Sequence, residues 1–374
     1  MSEDVYNVLI NSKEPWYCMR CLSIQSNNVK WGEMEGERKI RQVITSTYQE
    51  IIKWNKNLFL LPRGKIGSEF IKELTKILDL FVNNDKKWSR LALTMFHIFV
   101  PLMLQKPSAK SKAKEHVKYL EKRLKWWSEG DFKSLMAENR VIQQRLIKKN
   151  VKFQENRERA FCRHMLLGQV SKAMKYINND DITLGVHPIN EEIKTLLQEK
   201  HPVGKEADPD ILLPPISEPP QPVIFEGIDS ETVYKAAKSI QGSGGPTMID
   251  ADGWRHILCS RSYGKASEDL CQAIANLAKK LCRENVHPDS SQEYVACRLI
   301  PLDKGVDKAG NKGVRLIGIG EILRRIIGKV VVNTIKEDII TALGPLQTCA
   351  GLKSGIEASI HAMRTIFEEI AQKL

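Results

Sequence analysis

Lys304 and Arg315 have the residue types and spacing best suited to a chemical task in this chain. Lys304 sits where the apolar run Cys297–Leu302 meets a polar, glycine-punctuated stretch, Asp303–Gly313. Arg315 lies on the apolar run that follows, Val314–Ile319. This pattern predicts a β-hairpin. A hairpin that presents a lysine and an arginine from adjacent strands can grip a polyphosphate or a nucleic-acid backbone, the lysine as a point charge and the arginine as a two-pronged donor. Arg324, Arg325 and Lys329 follow on a segment whose apolar residues, at 322, 323, 326, 327 and 330, have helical spacing.

A second basic cluster precedes it. Lys110, Lys114, Lys118, Lys122 and Lys125 surround an apolar stripe of Val117, Leu120, Leu124 and Trp127. Such a helix can dock on a core and lay lysines along a nucleic-acid backbone, or it can be the solvated face of a bundle. Trp126 and Trp127 read as packing residues rather than a base-stacking platform. Cys18 and Cys21 form the one CxxC pair, but no Cys or His lies in residues 1–17. A tetrahedral zinc needs four ligands, so any Zn2+ site here is incomplete.

Other chemistries fit less well. None of the eight histidines has an i, i+4 partner or an HExxH context. Gly242–Trp254 is glycine-rich but lacks the Gly-Lys-Ser/Thr of a P-loop. Asp250 and Asp252 offer too few oxygens for a metal, and capping of a helix before Trp254 accounts for them better. Six cysteines outside the CxxC stand in apolar contexts and read as reduced, buried thiols.

Helices must carry most of these residues. Apolar periodicity predicts them over 36–61, from Ser68 to about Val82, over 85–104, from about Ser108 to Trp127, from Gly130 to about Lys149, and over 156–177. Proline crowds 180–222 and blocks regular structure, with a short helix at Glu191–Lys200. Further helices follow over 229–240, 265–283 and 354–371. The expected fold class is mainly α (α+β), with one small antiparallel hairpin. The expected units are a zinc-finger-like remnant at 1–28, a basic helical domain at 29–178, a Pro-rich linker at 179–222 and the hairpin-bearing region at 223–374.

The 374 residues carry a net charge of +12 and a pI near 9.2. Between Leu102 and Ala160 there are 16 Lys or Arg against 7 Asp or Glu. That concentration favours a polyanion partner, RNA or DNA. No apolar run reaches the ~18 residues of a membrane span. The N-terminus, MSEDVYNVLINSKEPW, lacks a signal-peptide pattern. An intracellular place, nuclear or cytoplasmic rather than secreted, is the expectation.

Leu299-Ile300-Pro301-Leu302-Asp303-Lys304, with Gly313-Val314-Arg315-Leu316-Ile317-Gly318-Ile319-Gly320, resembles the fingers hairpin of retroelement reverse transcriptases, closest to those of non-LTR retrotransposons. Arg324–Lys329 looks like the helix after it. Gly344-Pro345-Leu346-Gln347, Ala350-Gly351 and Gly355–Arg364 resemble the segment before the palm. The likeness runs from near Val223 to the end, and Leu316 departs from it where the family has proline. Upstream, Glu14–Cys21 resembles the end of a PHD-type finger. The likeness implies RNA-directed DNA polymerisation, a nucleotidyl transfer with two Mg2+ ions. It assigns Lys304 and Arg315 to the incoming dNTP, and Arg324, Arg325 and Lys329 to the template side. The palm aspartates that would hold Mg2+ are not in this sequence, so the chain alone is expected to be an inactive fragment or degenerate copy. The alternative is a non-catalytic nucleic-acid-binding or helical scaffold protein.

Overall fold

A computed structural model describes residues 35–148, 157–166, 170, 173–174, 186–200 and 222–371, with short interruptions at 55, 85–87, 109, 188–189, 285, 287–289, 307–311, 345–347 and 349–353. Cys18 and Cys21 lie outside the described residues. The described chain is mostly helical, with one two-stranded antiparallel sheet.

The N-terminal half contains α1 (Glu35–Ile52), α2 (Lys65–Val82), α3 (Ser89–Leu104), α4 (Ala113–Ser128), α5 (Phe132–Lys148) and α6 (Arg157–Leu166). α7 (Glu191–Lys200) lies in the proline-rich stretch. After it come α8 (Ser230–Ser239), α9 (Ala251–Cys259), α10 (Lys265–Arg283) and α11 (Gln292–Val295). The hairpin, β1 (Cys297–Val306) and β2 (Lys312–Gly320), leads into α12 (Ile322–Thr334), α13 (Lys336–Leu343) and α14 (Gly355–Ala371).

α1 stops at Ile52, short of the predicted Leu61, because the backbone beyond it has another partner. Phe59 N–H donates to Leu104 O at 2.9 Å and Lys106 N–H to Asn57 O at 2.8 Å, which holds 57–59 extended beside the end of α3. α2 starts at Lys65 rather than Ser68. Gly64, at φ 88°, makes the turn into it, and the Ser68 hydroxyl donates back to Gly64 O. α4 starts at Ala113 rather than near Ser108, capped at Lys112, whose N–H donates to Glu115 Oε2 at 2.8 Å.

One apolar core crosses the proline-rich stretch. Phe70, Leu74 and Leu78 of α2 and Phe96 and Phe99 of α3 join Val233 and Ala237 of α8, Leu270, Ile274 and Leu277 of α10, and Ile322, Ile326 and Val330 of α12. α3 is apolar on every side and accordingly buried on every side. Trp254 of α9 stacks on Phe96 with ring centroids 6.0 Å apart. Its helix is capped by Asp250, whose Oδ1 accepts from Gly253 N–H, as the sequence suggested. Trp127 packs edge-on against Phe99 and Phe132, which is the packing role expected of it.

Two polar fastenings hold the halves together. Tyr263 O–H donates to Leu61 O at 2.9 Å, with His256 Nε2 2.8 Å from the same hydroxyl. A Cβ on Gly67 would meet Pro62 O at 2.1 Å and the Tyr263 ring at 2.6 Å, so only glycine fits this approach. Lys280 Nζ donates to Val82 O at 3.1 Å and Asn84 Oδ1 at 2.6 Å, closing the C-terminus of α2 against α10. Burial pushes the Cys271 thiol up to about 12 and raises those of Cys259 and Cys282. Cys162 departs from the expected buried set: it is exposed on α6.

Candidate nucleic-acid interface

β1 and β2 place Leu302 opposite Arg315, Ile300 opposite Ile317 and Arg298 opposite Ile319. Opposed residues share a face, and alternate residues along a strand return to it. One face therefore carries Arg298, Ile300, Leu302, Arg315 and Ile317. The ladder shifts between Asp303 and Val306. A Cβ on Gly313 would nevertheless fall 2.8 Å from Lys304 Cβ, which keeps Lys304 on the Arg315 side. Lys304 and Arg315 are both exposed. From Arg298 to Lys304 the face runs about 20 Å at ~3.3 Å per residue.

The other face is covered. Val314 packs with Ile193 and Leu197 of α7. Lys200 Nζ donates to Val314 O at 2.8 Å, and His187 N–H to Pro301 O at 2.9 Å. Val186 bridges to Leu302 at the β1 edge. His187 Nε2 lies 3.3 Å from Asp303 Oδ1. Residues 186–187 and 190–200 thus lie along the hairpin, which leaves the Lys304–Arg315 face as the open one.

Arg324 and Arg325 are placed at the base of the hairpin, and their guanidinium groups are bound to backbone carbonyls. Arg324 Nη1 donates to Val295 O at 3.0 Å. Arg325 donates to Gln241 O at 3.1 Å and to Ser243 O. Arg325 and Arg298, whose Nη2 donates to Gly244 O at 3.1 Å, clamp the glycine-rich loop, while Arg324 holds the residue before β1. A Cβ on Gly245 would lie 2.7 Å from Glu321 N, so this loop is a close-fitting turn against the start of α12. Lys329 is half-buried on α12.

Lys110, Lys114 and Lys118 are exposed on or just before α4. Lys122 is engaged instead: it pairs with Glu138 and sits 4.7 Å above the Trp126 ring.

Several contributors to this region were not singled out in the sequence. Arg298 has the same parity as Lys304 on β1, and period-two counting back from Lys304 would have found it. Lys56 and Glu321 gave no such signal. Glu321 is buried and accepts from Thr247 N–H at 2.6 Å and Thr247 Oγ1–H at 2.8 Å. Lys56 Nζ donates to Ile52 O at 3.0 Å. Burial lowers its pKa to about 8, with Glu321 opposing the shift and Arg298 adding to it.

A lysine depressed from 10.5 to about 8 costs stability wherever it must be charged when folded. The cost is complete below pH 8 and disappears as pH rises towards 10.5. Lys56→Met should therefore raise stability at pH 7 by about 2 kcal/mol. The advantage should shrink between pH 8 and 10, as read by urea midpoints for the two proteins. An unchanged difference across that range would remove the buried charge as its cause.

Among the described residues, no group of three or more His, Cys, Asp or Glu is placed to hold a metal, and no helix is long and apolar enough to cross a membrane. No protein family, curated protein or solved structure matches this chain.

Proposed function

We propose that the hairpin is a phosphate-gripping element of the reverse-transcriptase fingers type, and that the chain binds nucleic acid and deoxynucleoside triphosphates as part of an RNA-directed DNA polymerase of retrotransposon origin. The observation that carries this reading is the shared open face of Lys304 and Arg315, with residues 186–187 and 190–200 covering the face behind it. A rigid two-stranded support fixes the spacing of the two cations. An exposed lysine and arginine supply charge-assisted hydrogen bonds to phosphate oxygens. Ile317, at 36% exposed, lies between Arg315 and the hairpin base and offers an apolar surface beside the charges.

The test is equilibrium binding of a dNTP and of an RNA–DNA primer–template at graded salt. Lys304→Ala and Arg315→Ala should each weaken dNTP binding about 10- to 100-fold. Each cation removed from the duplex backbone should flatten the salt slope by about one. Equal binding by both variants and the wild type, or no binding at low salt, would overturn the reading.

The exposed Lys110, Lys114 and Lys118 favour a second contribution, a non-catalytic backbone contact made by α4. Neutralising all three should lower duplex affinity while leaving dNTP affinity unchanged. Unaltered duplex binding would assign α4 to the helical scaffold instead.

A further inference from the structure

Ile356, Ile360, Met363, Phe367 and Ile370 are between 53% and 71% exposed on α14, and Gly355 is its one buried residue. Their spacing alternates four, three, four and three. That is the 3.5-residue period of a helix that packs along its length against another helix, and Ile366, 51% exposed, widens the stripe on one flank. Five such residues over fifteen positions make a seam about 21 Å long.

We propose that α14 pairs with α14 of a second copy of this chain, as an antiparallel two-helix seam. The charges beside the seam select this occupant and this orientation. Antiparallel packing sets Ile360 against the partner's Met363 and Ile356 against the partner's Phe367. In that register Glu357 lies across from the partner's Arg364, and by symmetry Arg364 lies across from the partner's Glu357. Both flanking positions are thus matched by opposite charge twice in one dimer. A parallel pair would instead set Ser359 against the partner's Arg364 and Ile366 against the partner's Ala371, with no charge complement. Arg364 is already extended along its own helix, where Nε donates to Glu368 Oε1 at 2.8 Å, so it needs little rearrangement to share its remaining donors across the seam. The Thr348–Ser359 hydroxyl contact, at 2.7 Å, engages the helix on a position flanking the seam and leaves the apolar residues clear.

Sedimentation velocity of the full chain, from nanomolar to high micromolar, reads the association directly. A concentration-dependent dimer is expected. Ile360→Asp with Phe367→Asp should abolish it, with helical circular dichroism retained. Glu357→Arg alone and Arg364→Glu alone should each weaken dimerisation about tenfold. The double reversal, Glu357→Arg with Arg364→Glu, should restore it. Three results would overturn the proposal: a wild-type chain monomeric throughout, a dimer that survives the two aspartates, or a double reversal no better than the single ones.

Discussion

Arg123→Ala is expected to destabilise the chain by about 3–5 kcal/mol. Arg123 is 0% exposed, although it belongs to the most basic helix. Its Nε donates to Glu138 Oε2 at 2.7 Å, and its Nη1 donates to Met103 O at 2.8 Å and Gln105 O at 2.7 Å. The side chain therefore closes the C-terminus of α3 from α4 and ties α5 to the same point. Truncation leaves two buried carbonyls and a largely buried carboxylate without this partner. Arg123→Met separates the parts, since it keeps most of the packing and loses every donor. It should recover less than half of the loss in urea-denaturation midpoints. A change below about 1 kcal/mol for Arg123→Ala would show that the three bonds do not hold these helices together.

This residue also shows how far the sequence could be read. Sixteen basic residues between 102 and 160 suggested a charged outer surface, and Lys110, Lys114 and Lys118 fit that. Arg123 belongs to the same count and is buried, and Lys122 is held by Glu138 and Trp126. Helical periodicity places Leu120 and Leu124 on the inner face. It cannot say that the adjacent Arg123 reaches the carbonyls ending α3, because those carbonyls are about twenty residues away in sequence. The hairpin was legible for the opposite reason. Its strands, its turn and its two cations lie within one short stretch, where alternation and glycine placement decide the structure locally.

The proline-rich stretch was legible in composition but not in consequence. Proline density argues against continuous helix or sheet. It does not tell that residues 186–187 and 190–200 lie along the hairpin, since the contacts that hold them, Ile193 and Leu197 to Val314 and Lys200 to Val314 O, join segments more than a hundred residues apart. The shared core follows the same rule. Each amphipathic helix announced its own buried face, as α10 did with Leu270, Ile274 and Leu277. Which other face it meets depends on complementary shape across long sequence separations.

Glu321→Ala should cost about 3–5 kcal/mol and should also weaken nucleotide binding by the molecules that remain folded. Glu321 lies between the end of β2 and the start of α12, where the hairpin leaves the core. Its carboxylate holds Thr247 through both the backbone N–H and the hydroxyl, fixing the glycine-rich loop that Arg298 and Arg325 clamp from the other side. Without it, the Thr247 N–H is stranded in a buried position, and Lys56 loses the charge that opposes its desolvation. Two comparisons distinguish these effects. Thr247→Val removes the hydroxyl bond alone and should cost about 1 kcal/mol. Adding Lys56→Met to Glu321→Ala should recover about 3 kcal/mol, more than the ~2 kcal/mol that Lys56→Met gains alone, because the lysine left without Glu321 has no counter-charge. Strict additivity of the two substitutions would deny their coupling. The expected binding defect arises from geometry, not from the removal of a group that touches the ligand: a loosened base lets the hairpin pivot, and Lys304 and Arg315 no longer meet two phosphate oxygens together. Dissociation should therefore quicken more than association slows, which stopped-flow binding of a labelled dNTP would read. A Glu321→Ala protein that is destabilised as expected but binds with unchanged kinetics would show that the hairpin holds its shape without its anchor in the core.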